Sequence, residues 1–382
     1  MFDDDKAISD DELAHWLAFS MVNGVGPRRV AILLERLESM KTAWNASRLV
    51  LQRLEGIGEE TINNIERARA ELDPQAILGE FKESGMQALT WLDPRYPYRL
   101  RHIADPPVVL YVNGEIGVED LAHTVGIVGT RRPSSYGEKI AKEVARGLSS
   151  HGVTVVSGMA VGIDSLAHWG ALEGSAPTIA VLGCGADICY PSSNRKLFNT
   201  ILKEKRGAIV SEYYPGTKPE SFRFPARNRI ISGLSEALVV VEGGIDSGSL
   251  ITARQAFDQC RDVFAFPGRV DSAASEGPNH LIREHIAQLC TSYEDILLAK
   301  NWVQSRSGAE REKPAVVQLY GREKELFELI SIEPVHFDTL SERSGMPTGE
   351  LSATLTMLEL AGLIHRAAGD WYSRMSDIRL RN

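Results

Sequence analysis

The 382-residue chain has little cysteine, few aromatic residues and no long apolar run. No run reaches the ~18–20 residues that a membrane helix needs. The acidic start, MFDDDKAISDDE, lacks the apolar core of a secretory signal. The cysteines are too few for a disulfide framework: Cys184, Cys189, Cys260 and Cys290. These absences predict a cytoplasmic protein with free thiols and no membrane span.

The chain also lacks a surplus of basic residues, which counts against a uniform coat for nucleic acid. It has 42 Lys and Arg against 51 Asp and Glu, a formal net charge of −9. Residues 1–84 hold 10 basic and 16 acidic residues, and residues 316–382 hold 7 and 10. Residues 85–300, with 22 and 23, are nearly neutral and can hold a local basic cleft.

The length and a globular composition predict two or three domains. Changes in sequence pattern divide the chain into four segments. We predict a helical, helix-hairpin-helix-like domain at residues 1–84, a Rossmann-like domain at 85–300, a linker at 301–315 and a winged helix at 316–382.

Residues 123–298 alternate short apolar strands with helices, which predicts an α/β fold with a doubly wound, mainly parallel sheet covered on both faces. The predicted strands are Thr124–Val128, Val153–Val156, Thr178–Leu182, Ala208–Val210, Ala237–Val241, Val263–Phe266 and Ala287–Cys290. The predicted helices are Tyr136–Ser150, Asp164–Glu173, Ser193–Lys203, Ser249–Gln259 and Asn279–Glu284.

A weak internal repeat marks the N-terminal region, where Gly24–Gly26 and Gly56–Gly58 each precede an amphipathic helix. This pattern is typical of paired helix-hairpin-helix motifs, whose helix N-termini can bind DNA phosphates. The second copy has two glutamates at that place and the region is acidic, so packing or protein contact is favoured. Only the first copy, with Arg28 and Arg29, is a candidate DNA contact.

The C-terminal region predicts three helices and a hairpin, an order that resembles a winged helix. The helices are Arg322–Ser331, His336–Ser344 and Thr348–Ala361, and the hairpin strands are Leu363–Arg366 and Trp371–Arg374. The third helix carries two glutamates and no Lys or Arg, whereas a helix that reads the major groove uses basic or amide side chains. We therefore expect a protein contact here, which disfavours a winged-helix regulator of duplex DNA.

The loops that follow the predicted strands are rich in glycine and basic residues. Glycine turns that lead into helices form anion sites. The chain lacks Gly-x-Gly-x-x-Gly after its first parallel strand, an acidic residue after the second, and a Walker A motif, so no dinucleotide or other cofactor is predicted. A row of anion sites along one rim favours a phosphate-bearing polymer over a single nucleotide.

No catalytic or metal-binding constellation can be assigned from the residues. Asp164 and His168 share a helix face, but a helix cap and a buried histidine explain them. Cys184 and Cys189 have no His or Cys partners at zinc spacing. The chain is therefore predicted to be a binding protein and not an enzyme.

Several blocks of residues, in order, resemble the bacterial DNA-processing protein DprA (Smf) family over about residues 90–300. They are Asp93–Gly114, Ile127–Pro133, Ser157–Asp164, Tyr190–Pro191, Ser211–Tyr213, Phe224–Ser232 and Ser247–Thr252. The resemblance implies a protein that binds single-stranded DNA without sequence preference and dimerises through its Rossmann-like domain. It also implies competence and natural transformation, in which such proteins protect incoming strands and help to load the RecA recombinase.

The family's Gly-Thr-Arg and Phe-Pro-x-Arg-Asn-Arg motifs line its DNA pocket, and they correspond here to Arg131, Phe224, Arg227, Asn228 and Arg229. The strand-end loops and nearby cations complete the predicted nucleic-acid-binding set: Gly129, Thr130, Arg132, Ser157, Gly158, Met159, Arg195, Lys196, Gly248 and Ser249.

Two points in this set stay open. Many relatives have Lys directly after the Tyr-Pro pair, where this chain has Ser192, and Arg195 and Lys196 are the candidates to replace it. Arg229 and Arg254 have a structural alternative, in which they pair with Glu212 or Glu242 and do not contact DNA.

An enzyme on a related fold is the alternative function. The Gly243–Ser249 segment loosely resembles the Pro-Gly-Gly-x-Gly-Thr motif of phosphoribohydrolases, which split nucleoside monophosphates. Those enzymes place a Glu shortly after the motif, where this chain has Arg254, and this difference disfavours base–sugar cleavage.

Overall fold

The computed structural model describes residues 8–302, 319, 321–331, 335–361, 363–367 and 369–374. The chain forms two compact units, which comprise residues 1–306 and 307–382. Most of the predicted linker, residues 303–315, lies outside the described residues.

The first unit begins with six helices, separated in two places by the predicted glycine turns. Gly24 (φ 79°) and Gly56 (φ 91°) have a left-handed backbone, which a residue with a Cβ adopts only with strain. The helices are α1 (Asp10–Ser20), α2 (Pro27–Leu37), α3 (Met40–Asn45), α4 (Arg48–Gln52), α5 (Glu59–Glu71) and α6 (Pro74–Glu83).

Nine strands form the central sheet of the first unit. They are β1 (Gln87–Thr90), β2 (Val109–Gly114), β3 (Thr124–Val128), β4 (Thr154–Ser157), β5 (Thr178–Leu182), β6 (Gly207–Ser211), β7 (Ala237–Val240), β8 (Asp262–Ala265) and β9 (Gln288–Leu289). Their order is β1-β2-β6-β5-β4-β3-β7-β8-β9. Strands β3 to β9 pair in parallel, whereas β1 and β2 form an antiparallel edge. The predicted Rossmann-like sheet is confirmed.

Further helices connect and cover these strands. They are α7 (Tyr98–Arg101), α8 (Ser135–Ser150), α9 (Ile163–Leu172), α10 (Arg195–Lys203), α11 (Arg223–Leu234), α12 (Gly248–Asp258), α13 (Glu276–Arg283) and α14 (Tyr293–Ala299). The sequence did not predict α11, which contains Pro225; proline is tolerated there because the first helical turn leaves its N–H groups without helical partners. No described helix is long and apolar enough to cross a bilayer.

The N-terminal helices share a hydrophobic core with one face of the sheet. Trp16 and Phe19 of α1 are fully buried. The Phe81 ring of α6 lies 5.7 Å from the Tyr111 ring of β2, and the Tyr111 hydroxyl hydrogen-bonds the Ser20 hydroxyl at 2.8 Å. Each large apolar side chain buried in this way contributes about 1.5–3 kcal/mol. Packing therefore holds the predicted helical domain to the sheet within one compact unit.

The chain reverses its direction across the sheet at β3. From β3 it runs through β4, β5 and β6, and it then returns to β7 on the other side of β3. In sheets of this kind a crevice opens outside the carboxyl ends of the strands at such a switch point, and ligands bind in it. The ends of β3, β4, β5 and β7 therefore locate the candidate site.

The second unit is a winged helix, as predicted. Its elements are α15 (Gly321–Leu329), β10 (Val335–His336), α16 (Phe337–Ser344), α17 (Thr348–Leu360), β11 (Ile364–Ala367) and β12 (Trp371–Arg374). The strands form a sheet in the order β10-β12-β11. Leu326, Phe327, Leu340, Leu351 and Leu355 form the centre of its own hydrophobic core.

Candidate nucleic-acid interface

Two adjoining cavities open at the carboxyl ends of the central strands. The outer cavity, of about 450 Å³, is bounded by the loop after β3, by α11 and by the start of α12. The inner cavity, of about 210 Å³, reaches the loops after β4 and β5. We call the two together the crevice. Residues that line both cavities are Arg131, Ala160, Tyr190, Phe224 and Arg227.

Arg131 stands in the loop that joins β3 to α8, and its side chain is exposed. The backbone around it is fixed on both sides. The Thr130 N–H donates to the carbonyl of Glu242 at 2.7 Å, and the Thr130 carbonyl accepts from the Ile163 N–H at 3.1 Å. Arg131 forms no ion pair with any described residue. Its guanidinium is therefore free to meet an anionic ligand.

Arg227 of α11 is only 5% exposed and lies at the bottom of the crevice. Its Nη1 donates to the carbonyl of Val181, while its Nε has no hydrogen-bond partner. Burial lowers the pKa of Arg227, and the nearby Asp164 carboxylate opposes that shift. A buried cation with an unused donor adds a second positive group beneath the exposed Arg131.

Asp164 is the one acidic residue in the lining of the crevice, every residue of which belongs to the described part of the chain. Burial raises its pKa to about 6, although Arg227 lowers it. Its Oδ2 accepts from the Ala160 N–H at 3.4 Å, so it supports the turn before α9. A Cβ on Gly158 would lie 2.4 Å from Arg227 Nη1 and 2.5 Å from Asp164 Oδ2. Only glycine at 158 lets these two charged groups approach the loop from both sides.

Two aromatic rings stack beside the arginines. The Tyr190 and Phe224 rings have centroids 5.3 Å apart and planes at 25°. Tyr190 follows β5 in a loop and is 42% exposed, whereas Phe224 lies in the first turn of α11. The pair gives the crevice a flat apolar surface next to two cations. A base stacks on such a surface whatever its identity.

Eight of the predicted residues line the crevice, and seven do not. Those in the lining are Gly129, Arg131, Gly158, Phe224, Arg227, Asn228, Gly248 and Ser249. Those outside it are Thr130, Arg132, Ser157, Met159, Arg195, Lys196 and Arg229.

Ser157 and Met159 support the loops from below. Both residues are buried, and the Ser157 hydroxyl donates to the Ile127 carbonyl at 2.6 Å, between neighbouring strands. The Met159 carbonyl accepts from Asn194 Nδ2 at 2.7 Å. These contacts hold the β4 loop against the start of α10.

Arg229 points away from the crevice and pairs with two carboxylates. Its Nη2 lies 2.7 Å from Glu212 Oε2, its Nε lies 3.2 Å from Asp105 Oδ2, and its side chain is 13% exposed. Burial lowers the pKa of Arg229, but the two carboxylates outweigh burial and raise it. The structure thus places Arg229 in the structural arrangement that the sequence left open as the alternative.

Arg195 and Lys196 begin α10, which follows the Tyr190–Pro191 pair after a short 3₁₀ turn. Both side chains are exposed. The Lys196 ammonium lies 5.8 Å from the centre of the Trp169 ring, which is a cation–π distance. These cations lie outside the lining of the crevice, and their part in binding stays a prediction.

Sequence reasoning missed Tyr190 and Asp164 as lining residues. The sequence prediction for the strand ends rests on glycine turns and cations that bind anions, and neither an aromatic ring nor a carboxylate belongs to that pattern. His168 is fully buried, as predicted, and its Nδ1 lies 2.7 Å from Thr178 Oγ1. Burial raises the pKa of Cys184, also in the lining, to about 11, so this thiol is not an activated nucleophile. No cluster of three or more His, Cys, Asp or Glu side chains suited to a metal occurs among the described residues.

Fold and site together define a Rossmann-like protein with a cationic, aromatic crevice at its switch point and a winged helix in the same chain. The chain belongs to the DNA recombination-mediator protein A family, whose model matches residues 87–301. A model of the DprA winged helix domain matches residues 310–370. The resemblance found in the sequence is thereby confirmed.

Relatives match over most of the chain. Protein Smf of Synechocystis sp. is 36% identical over 399 residues, which cover 96% of this chain and all of that protein. DNA processing protein DprA of Bacillus subtilis is 39% identical over 220 residues, which cover 58% of this chain and 73% of that protein.

Two solved structures are also similar. The X-ray structure of DprA from Streptococcus pneumoniae has a TM-score of 0.64 and 35% identity, over 77% of this chain and 99% of that one. A structure of DprA from Helicobacter pylori, solved to describe its single-stranded DNA binding mode, has a TM-score of 0.51 and 32% identity. It covers 56% of this chain and 96% of that one.

Proposed function

We propose that the crevice binds single-stranded DNA without sequence preference. The observation that carries this proposal is the placement of Arg131 and Arg227 beside the stacked rings of Tyr190 and Phe224. Arginine neutralises the phosphate backbone, and an aromatic ring stacks on an unpaired base. The relative from Helicobacter pylori, named for its single-stranded DNA binding mode, supports the same ligand.

The depth of the crevice favours a single strand over a duplex. The Tyr190–Phe224 pair and Arg227 line an inner cavity of about 210 Å³. A base reaches such a cavity only when it is unpaired and unstacked from its neighbours, which costs a few kcal/mol in a duplex. Binding should not depend on the identity of the base, because every base can stack on an aromatic ring and no hydrogen bond to a base edge is needed.

A mediator role in recombination and natural transformation accompanies this binding. In that role the protein protects incoming strands, helps to load RecA and works as a cytoplasmic homodimer through the Rossmann-like unit. Protein contact by the winged helix is part of the proposal. On α17, Met357 is 58% and Leu360 80% exposed, and the helix also carries Glu350 and Glu359. Exposed apolar and acidic side chains suit a protein surface better than a phosphate backbone.

Fluorescence anisotropy with labelled oligonucleotides tests the binding proposal. Oligo-dT, oligo-dA and a mixed single strand should bind with similar affinity, and the matched duplex should bind much more weakly. Affinity should fall steeply as salt rises, because phosphate contacts release counterions. Equal or tighter binding of the duplex would contradict the proposal. Release of free base from nucleoside monophosphates in a parallel assay would favour the phosphoribohydrolase-like alternative.

A further inference from the structure

A buried carboxylate near the crevice, that of Glu242, has no cationic partner among the described residues. Glu242, two residues after the end of β7, is 2% exposed. Its Oε2 accepts from the Ser134 N–H at 2.9 Å, and its Oε1 accepts from the Ser134 hydroxyl at 2.6 Å. Among the described residues it pairs with no Lys, Arg or His. A buried anion needs such compensation, and here it comes from the start of a helix.

The carboxylate lies against the first turn of α8. Ser134 is the N-cap of this 16-residue helix, and its hydroxyl also accepts from the Gly137 N–H at 3.3 Å. A Cβ on Gly137 would lie 2.1 Å from Glu242 Oε2, so only glycine leaves room for the carboxylate. In dinucleotide-binding sheets the phosphate lies at the N-terminus of the helix after the first strand of the motif. Here a side chain of the protein occupies the corresponding place.

The same residue also holds the other end of the loop. The Glu242 carbonyl accepts from the Thr130 N–H at 2.7 Å, and its carboxylate binds Ser134. The loop from Thr130 to Ser134 is therefore anchored at both ends on one residue. Arg131 lies within this span. A Cβ on Gly162 would lie 2.8 Å from the Arg131 Cα, so the loop has little room to shift in that direction.

We propose that Glu242 is a positioning residue for Arg131. Its carboxylate takes the place of a bound phosphate at the start of α8 and thereby fixes the β3–α8 loop. Arg131 then meets the DNA strand from a backbone that is already in place. The inference rests on the proposed function, because it assigns Glu242 an effect on single-strand affinity that acts through Arg131.

A double-mutant cycle in the full chain tests the inference. Glu242→Ala should weaken binding of a labelled oligo-dT by about tenfold, the cost of ordering one or two side chains on binding. In a chain that already carries Arg131→Ala, the same substitution should change the affinity by less than about twofold, because the two effects share one contact. Glu242→Gln keeps the shape and most hydrogen bonds and should stay within about threefold of the unaltered chain.

Two further measurements separate positioning from general stability. Formate or acetate should restore affinity to Glu242→Ala by filling the vacated carboxylate site, and chloride at equal ionic strength should not. Asp295→Ala is the matched control, because Asp295 also accepts from backbone N–H groups before a helix, those of Thr291 and Ser292. That variant should lower the melting temperature and leave oligo-dT affinity unchanged.

The possible outcomes are distinct. If Glu242→Ala binds like the unaltered chain, or loses the same factor with and without Arg131, Glu242 does not act through Arg131 and the inference is wrong. If the unaltered chain fails to bind oligo-dT, the proposed function fails first. If Glu242→Ala does not fold, Ser134→Ala removes one hydrogen bond of the same contact from the loop side. It should show the same dependence on Arg131, and independence from Arg131 would overturn the inference.

Discussion

Two of the arginines that the sequence predicts as DNA contacts have different surroundings, and we expect their substitution to have different effects. Arg131 is exposed and unpaired among the described residues, whereas Arg229 is held by Glu212 and Asp105. Truncation of an unpaired cation removes a ligand contact. Truncation of a cation held by two carboxylates leaves those carboxylates unpaired, which costs stability.

Arg131→Ala should therefore weaken binding of all single strands alike. The slope of log affinity against log salt should become shallower by about 0.7, the share of one phosphate contact. Arg146→Ala is the matched control, since Arg146 lies near the other end of α8 and its side chain is 56% exposed. Anisotropy titrations at several salt concentrations measure both, and an unchanged slope for Arg131→Ala would remove this residue from the interface.

The buried His168 should make the stability of the fold depend on pH. Burial, aided by Arg227, lowers its pKa to about 3, so the folded chain keeps it neutral. In the unfolded chain the imidazole titrates near pH 6.5 and binds a proton as pH falls. Its contribution to the free energy of unfolding is therefore complete above that pH and decreases below it, by about 1.4 kcal/mol per pH unit. The pKa of Asp164 is raised from 3.8 to about 6, so between these two pH values Asp164 makes the fold more stable as pH falls, which is opposite to the effect of His168.

Comparison with His168→Gln isolates the histidine, because the Asp164 effect is common to both proteins. The difference in unfolding free energy between the unaltered chain and the variant should shrink by about 2 kcal/mol from pH 7 to pH 5. Urea unfolding at each pH measures it. A difference that stays constant with pH would show that His168 does not titrate between the two states.

At the scale of elements, the junction of β5 and β6 depends on one glycine. Gly207 opens β6 with φ 137°, and a Cβ there would lie 1.9 Å from the Thr178 carbonyl oxygen of β5. Gly207→Ala should lower the free energy of unfolding by at least about 2 kcal/mol, through strain and a displaced strand. Gly216→Ala, at φ 80° and with nothing within 4 Å of the added Cβ, is the control and should cost about 1 kcal/mol. Equal losses in urea unfolding would show that the contact with β5 is unimportant.

The aromatic pair joins the β5 loop to α11, and its stacking supplies a second element-scale prediction. Phe224→Ala should weaken single-strand binding by about 1–3 kcal/mol for every sequence, whereas Phe224→Trp should largely keep it. The salt slope should stay as it is, because no phosphate contact is lost. A changed slope with unchanged affinity at low salt would contradict the stacking role of Phe224.

At the scale of the whole molecule, the hydrophobic cores define which parts can be removed. The described winged-helix residues form a core of their own, whereas the N-terminal helices share one with the sheet. A chain ending at residue 306 should stay soluble, with an unchanged melting transition for the first unit. A chain starting at residue 85 should expose Tyr111 and its neighbours and aggregate. Calorimetry and light scattering measure both, and a stable, soluble chain from residue 85 would refute the shared core.

The sequence predicts an element of the fold where that element carries a local pattern of apolar residues. The buried strands β3 to β8 are short apolar runs, and all were located to within one residue. The sequence does not predict helix α11, because Pro225 and the arginines of its first turns interrupt the apolar pattern. Its buried face, formed by Ile230, Ile231 and Leu234, becomes apparent only when the helix packs on the sheet. The antiparallel strands β1 and β2 precede the alternating region, so periodicity did not mark them.

The candidate site was predictable in its glycines and arginines and less so in their division of labour. A sequence shows that Arg227 and Arg229 are two residues apart, but not that one lies at the bottom of the crevice and the other between Glu212 and Asp105. Pairings of this kind join residues distant in the chain. They arise from tertiary packing and leave no local pattern.

The carboxylate of Glu242 at the start of α8 has a consequence for competition between a DNA strand and free nucleotides. An open helix N-terminus in a Rossmann-like sheet would attract nucleotide phosphates. With that place filled from within, a mononucleotide gains only the contacts of the crevice itself. On the proposed function, a strand adds neighbouring phosphates and bases on the same chain, so its linked contacts give it an advantage over a free nucleotide. The filled helix start would thus favour a polymer over its mononucleotides even when the mononucleotides are in excess.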